Sequence, residues 1–112
     1  MRRKSAREIT LLLDEVVDKL VSRLDVTKII LFGSCATDSY SKDSDLDLFV
    51  IANMREKGIG RYALVSEILE PRKMPMDIIV KTPAEVKRRE KYFDPFMSNI
   101  QIKGKVLYEK KG

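Results

Sequence analysis

The run Asp45-Leu46-Asp47-Leu48-Phe49-Val50-Ile51 constrains the fold more than any other stretch. Read as a strand, it places Asp45, Asp47, Phe49 and Ile51 on one face and Leu46, Leu48 and Val50 on the other. Away from its acidic head it is apolar on both faces, which is the pattern of a central strand. Asp is a poor strand former. Two of them at the head of such a strand therefore need a reason, and a functional site is one.

The neighbouring segments supply a sheet and its cover. Ser5-Ala6-Arg7-Glu8 fits a capping box that opens a helix. Ile9, Leu12, Leu13, Val16, Val17, Leu20 and Leu24 follow at three- and four-residue spacing and form one apolar stripe. Asp25 to Lys28 reads as a connection, and Ile29-Ile30-Leu31-Phe32 as a buried strand stopped by Gly33. Ser34 to Thr37 reads as one short helical turn, and Asp38 to Ser44 as a loop rich in Ser and Asp. After the acidic strand, Ile59, Tyr62, Ala63, Ile68 and Leu69 give helical spacing that Pro71 ends. Met74 to Val80 reads as a third strand with Asp77 inside it. Thr82-Pro83-Ala84-Glu85 is a second capping box with proline at the first helical position. Asp94-Pro95 starts a short helix bearing Phe96, Met97 and Ile100, closed by Gly104, and Lys105 to Tyr108 reads as a terminal edge strand. The expected class is α/β or α+β, a small mixed sheet of three to four strands flanked by helices.

Length and composition narrow the function. At 112 residues the chain is expected to be one domain, spanning 1–112, with 44% hydrophobic residues to build its core. It has no histidine, which excludes Ser-His-Asp and Cys-His catalysis and His-based zinc sites within the chain. Its single cysteine, Cys35, excludes an internal disulfide and reads as a small packed residue. The net charge of +5 is modest and does not demand an anionic partner. Lys87, Arg88, Arg89 and Lys91 read as a solvated helix face rather than an RNA contact. No apolar run approaches the ~20 residues that cross a membrane. The basic start, Met1-Arg2-Arg3-Lys4, leads into an amphipathic pattern rather than a signal peptide, so a cytoplasmic protein is expected.

The candidate site has a metal end and a phosphate end. Asp45 and Asp47 share a strand face roughly 6.5 Å apart. Carboxylates so placed can grip one cation, or two cations ~3.5–4 Å apart as in two-metal phosphoryl transfer. Hard oxygen donors suit Mg²⁺ or Mn²⁺. The plainer reading of this pair is a solvated strand end. Asp77 lies in the run Met76 to Val80, where a carboxylate away from water calls for a metal or a partner. Its plainer readings are an exposed position or a salt bridge to Arg72 or Lys73. Gly33 lets a phosphate approach the backbone, the amides after it can donate to phosphate oxygens, and the Ser34 hydroxyl adds a donor.

Gly33-Ser34, ten residues, then Asp45-Leu46-Asp47 resembles the nucleotidyltransferase signature of the DNA polymerase beta superfamily, in its minimal form. Ser44-Asp45-Leu46-Asp47-Leu48 is similar to that family's S-D-x-D-apolar segment, and Asp77 falls where the family places its third acid. The resemblance implies that Gly33 and Ser34 hold the triphosphate. It implies that Asp45 and Asp47 bind two Mg²⁺ ions, and that Asp77 binds one of them and helps activate the attacking hydroxyl. It further implies transfer of AMP from ATP with loss of pyrophosphate. Many minimal members are antitoxins that pair with a helical HEPN ribonuclease toxin, masking it or adenylylating a tyrosine on it. The implied partner is thus a HEPN toxin in a hetero-oligomer, with no membrane and no direct nucleic-acid contact. A HEPN site needs a histidine, so this chain is not the toxin.

Two other functions stay open. One is a non-catalytic module that masks its partner, for which Ile59, Tyr62, Phe93 and Phe96 offer an apolar interface. The other is nucleotidyl transfer to RNA or a small molecule, although larger relatives of that kind carry an additional acceptor domain, which is not expected here.

Overall fold

The computed structural model describes residues 6–32, 46–71, 76–91, 95, 100 and 103–111. Among these residues it contains three helices, α1 (Ala6–Arg23), α2 (Gly58–Leu69) and α3 (Pro83–Lys91). Four strands complete it, β1 (Asp25–Phe32), β2 (Leu46–Asn53), β3 (Met76–Lys81) and β4 (Lys105–Glu109). They form one mixed sheet in the order β3-β2-β1-β4. The β1 strand pairs antiparallel with β2 and with β4, whereas β2 and β3 run parallel. A parallel pair cannot be joined by a tight turn, and α2 supplies the crossover.

The two-faced reading of β2 explains the layering. Leu46, Leu48 and Val50 are buried with Ile9, Leu13, Val16 and Leu20 of α1 and with Val65, Ile68 and Leu69 of α2. On the opposite face Phe49 and Ile51 are buried with Val86 of α3, Ile30 and Ile100. The central strand is covered on both sides, as its pattern requires. The α1 stripe packs as its spacing predicts, with Leu12, Val17 and Leu24 at the margins of the buried row.

Three expectations shift. The strand β1 begins at Asp25, not at Ile29. Asp25 and Lys28 have weak strand preference, yet pairing holds them in the sheet. The Asp25 carboxylate accepts from Asn53 Nδ2 at 3.1 Å and meets Lys110 Nζ at 3.1 Å. Lys110 N also donates to the Thr27 carbonyl at 2.8 Å. The helix α2 turns a different face inward from the one expected. Ile59, Tyr62 and Ala63 are exposed, and Arg61, Val65, Ile68 and Leu69 are buried. The helix α2 also opens one residue before Ile59, at Gly58, whose φ of +54 is a conformation that favours glycine. Ser5, Cys35, the Ser34–Thr37 turn, the 38–44 loop, Tyr40, Arg72, Lys73, Phe93, Phe96 and Met97 lie outside the described residues.

The second capping box forms as its sequence predicts. Thr82 N donates to Glu85 Oε1 at 2.8 Å, and Glu85 N donates to Thr82 Oγ1 at 3.2 Å. Gly104 also closes a turn, its N–H donating to the Ile100 carbonyl at 2.8 Å. A Cβ at Gly104 would run into Ile30 Cγ2 and the Ile100 carbonyl oxygen. The second of these is backbone and cannot swing aside. Gly104→Ala is therefore expected to destabilise the fold by about 1–3 kcal/mol, read as a lowered urea midpoint.

Candidate active site

Sheet register, rather than proximity in sequence, assembles the described part of the site. Asp47 is the Cα partner of Phe32 on one side and of Asp77 on the other. Phe32, Asp47 and Asp77 therefore lie in one row across β1, β2 and β3. Directly paired residues on neighbouring strands point to the same face, and the strands are ~4.8 Å apart. The two carboxylates thus stand side by side near the beginning of two parallel strands. Asp47 is half-buried and Asp77 is exposed.

Of the two readings of Asp77, the plainer one holds: it is exposed near the start of its strand, because β3 is the sheet edge and a carboxylate meets solvent there at low energetic cost. What brings it to Asp47 is the parallel register. Gly33, Ser34 and Asp45 lie outside the described residues. Among the described residues no cluster of three His, Cys, Asp or Glu side chains gathers.

A cleft of about 610 Å³ opens beside the paired acids. All six residues of β3 line it, as do Gly58, Arg61, Tyr62, Val65 and Ser66 from one side of α2. Side chains of a strand alternate between faces. A cavity touched by every residue of β3 therefore follows the strand's outer edge. Asp47 and Asp77 stand at one end of it, and Lys81 and Gly58 at the other.

Arg61 ties the far end together. It is only 8% exposed. Its Nε donates to the Glu56 carbonyl at 2.9 Å, and its Nη1 to the Val80 carbonyl at 3.1 Å and to Glu85 Oε1 at 2.8 Å. Burial works to raise the Glu85 pKa, but the Thr82 amide and the Arg61 guanidinium outweigh it and hold the carboxyl down to about 2. One side chain thereby fastens the start of α2 to the end of β3 and the cap of α3. Sequence reasoning missed Arg61. The available signal was its spacing from Val65 and Ile68, which places it on the buried stripe of α2.

A profile of the nucleotidyltransferase domain family matches residues 13–106. No curated protein sequence matches the chain. Among solved structures, a proposed nucleotidyltransferase from Sulfolobus solfataricus is similar, with TM-score 0.64 and 22% identity, over 97% of this chain and 91% of that one. A chain from the complex of the tri-AMPylated HEPN toxin with the MNT antitoxin of Shewanella oneidensis superposes with TM-score 0.58 and 17% identity. That match covers 90% of this chain and 72% of the other. A chain of a toxin–antitoxin structure with AMP-PNP gives TM-score 0.62 at 18% identity, over 88% of this chain and 73% of that one. These likenesses reinforce the fold, and the profile spans both paired acids, both ends of the cleft and the whole sheet apart from the tail of β4. The chain belongs to the nucleotidyltransferase domain family.

Proposed function

We propose that this protein is a Mg²⁺-dependent nucleotidyltransferase that moves AMP from ATP to a tyrosine of a HEPN ribonuclease toxin and so acts as its antitoxin. The observation that carries the reading is the direct pairing of Asp47 with Asp77. Two hard carboxylates side by side on neighbouring strands suit a small divalent cation such as Mg²⁺ or Mn²⁺. Asp47, Asp77 and, by its alternation with Asp47, Asp45 would hold two such ions. Gly33, next in sequence to Phe32 of the same row, and Ser34 would hold the triphosphate. Bound divalent ions would neutralise charge building on the phosphates and make a hydroxyl more acidic. The chain's own contribution is positional. Asp47 is fixed between two strands, and Asp77 sits at the open edge where an acceptor hydroxyl can reach it and pass on its proton. The complexes of similar fold, one carrying an AMPylated HEPN toxin and one AMP-PNP, support the choice of acceptor and nucleotide.

The test is incubation with α-labelled ATP, Mg²⁺ and a HEPN protein encoded beside this chain. Label is expected on the HEPN protein, to be lost with EDTA and removed from the acceptor when its tyrosine is changed to Phe. Absence of label with every neighbouring partner contradicts the reading.

Masking of the partner without chemistry is the second reading, favoured by the exposure of Ile59 (87%) and Tyr62 (65%) on α2. Neutralisation that survives Asp45→Ala together with Asp47→Ala supports masking over transfer. The proposed setting is a single domain in a hetero-oligomer in the cytoplasm. Among the described residues no helix is long and apolar enough to cross a membrane.

A further inference from the structure

Helix α2 is apolar on both of its sides. The inner side builds the core with Val65, Ile68 and Leu69. The exposed side carries Gly58, Ile59, Gly60, Tyr62, Ala63 and one charge, Glu67, in a chain of which 35% is charged. Ile59 is 87% exposed and Tyr62 65%. Apolar character all round a helix is the pattern of one that is covered on both sides. Gly60 points the same way. It lies within the helix, where glycine is less stable than alanine. Yet a Cβ there would meet nothing, so no contact within the chain calls for glycine. A bare backbone on an exposed helix face suits the close approach of another helix.

The charges select which helix. Lys57 is the N-cap of α2 and Glu67 stands in its last turn, while the first turn holds no acid and the last turn no base. Each charge stands at the end where the helix dipole disfavours its sign. Among the described residues neither has an ion-pair partner. The two are about 15 Å apart along the axis, and Tyr62 and Ala63 lie midway between them. A second α2 laid antiparallel across that midpoint brings its Lys57 beside Glu67 and its Glu67 beside Lys57. The two dipoles then also oppose each other.

We propose that the outer face of α2 is a dimer interface, on which a second copy of this chain packs antiparallel, α2 against α2, about a two-fold axis beside Ala63. Gly60 and Ala63 let the two helix axes approach. Ile59 of each copy rests on the turn between Ala63 and Glu67 of the other, and the two Lys57–Glu67 pairs close the ends. One helix a side makes a small interface, so dissociation in the micromolar range is expected. The interface does not depend on the nucleotidyl-transfer reading, and its test reads association alone.

The experiment is sedimentation equilibrium of the full chain from about 1 to about 300 µM, at low and at physiological salt. Wild type is expected to dimerise reversibly, and more tightly at low salt. Lys57→Glu and Glu67→Lys are each expected to weaken the dimer roughly tenfold or more, because a two-fold contact feels each reversal twice. The two reversals together should restore it to within about threefold of wild type. Both place a charge where the helix dipole favours it, so the fold is kept. Gly60→Ala is expected to raise the melting temperature of the dilute monomer and to weaken the dimer, two effects that a glycine needed only for the fold does not give together. A chain that stays monomeric over the whole range overturns the proposal. So does a dimer that Ala63→Glu leaves intact, or single reversals that the double reversal does not rescue. A monomer that binds the partner of the masking reading through Ile59 and Ala63 assigns the face to that partner and overturns it too.

Discussion

Asp47→Asn and Asp77→Asn are each expected to lower AMP transfer by roughly 10²–10³-fold, the scale on which a removed transition-state electrostatic contact is felt. The amide keeps the size of the carboxylate and removes its charge. Asp47 is held by pairing on both sides, to Phe32 and to Asp77, so its strand has little freedom to rearrange around the change. Asp77 is exposed on an edge strand, and its amide variant is expected to melt within about 0.5 kcal/mol of wild type. A large loss of transfer with an unchanged melt separates chemistry from folding at that position. The proposal places the two acids at one centre, so the double variant should lose little more than either single one. Transfer by Asp47→Asn at the wild-type rate would refute the assignment of this row as the reacting centre.

Arg61→Ala is expected to destabilise the protein by about 2–4 kcal/mol, which is a large share of a small domain's stability. The change leaves the Glu56 and Val80 carbonyls without their donor and removes the cation facing Glu85. The effect should depend on pH. Glu85 has its pKa lowered from the ordinary 4.5 to about 2, so its ionised form is favoured by the fold. Its contribution is fully present above about pH 4.5 and is lost as pH falls toward 2. Its side chain is 33% exposed, so water screens part of the attraction and the contribution is on the order of 1–2 kcal/mol. Urea unfolding of wild type and Arg61→Ala at pH 7 and pH 3 should show a smaller gap at pH 3. A gap independent of pH would mean that the carbonyl bonds carry the whole effect.

Both expectations bear on how far the sequence alone reaches. The β2 strand could be read correctly because its pattern is local: alternation fixed its faces, and two apolar faces fixed its central place. The capping box at Thr82 and Glu85 was legible for the same reason, since both partners lie within one turn. For Asp77 the sequence left a buried and an exposed position both open. Its exposure depends on β3 being an edge, which is a property of the whole sheet. Arg61 was passed over because its three acceptors come from β3, α3 and the segment before α2, and only the first turn of α2 brings them together. The start of β1 was hidden by Asp25 and Lys28, of low strand preference, which contacts to Asn53, Lys110 and Glu109 hold in place. Gly33, Ser34 and Asp45, the other residues of the sequence motif, lie outside the described residues.

The parallel register of β2 and β3 has a kinetic consequence. Antiparallel β1 and β2 can zip together before α2 docks, and at that stage Asp47 has Phe32 beside it but no second acid. Asp77 joins only after the crossover helix has packed and the long-range strand pair has closed, which is the slow kind of contact to make. Any ligand that needs both carboxylates discriminates between the finished sheet and its precursors. Such binding draws the population toward the completed fold by mass action. A newly made chain would therefore acquire this pair of carboxylates only after its crossover helix has packed.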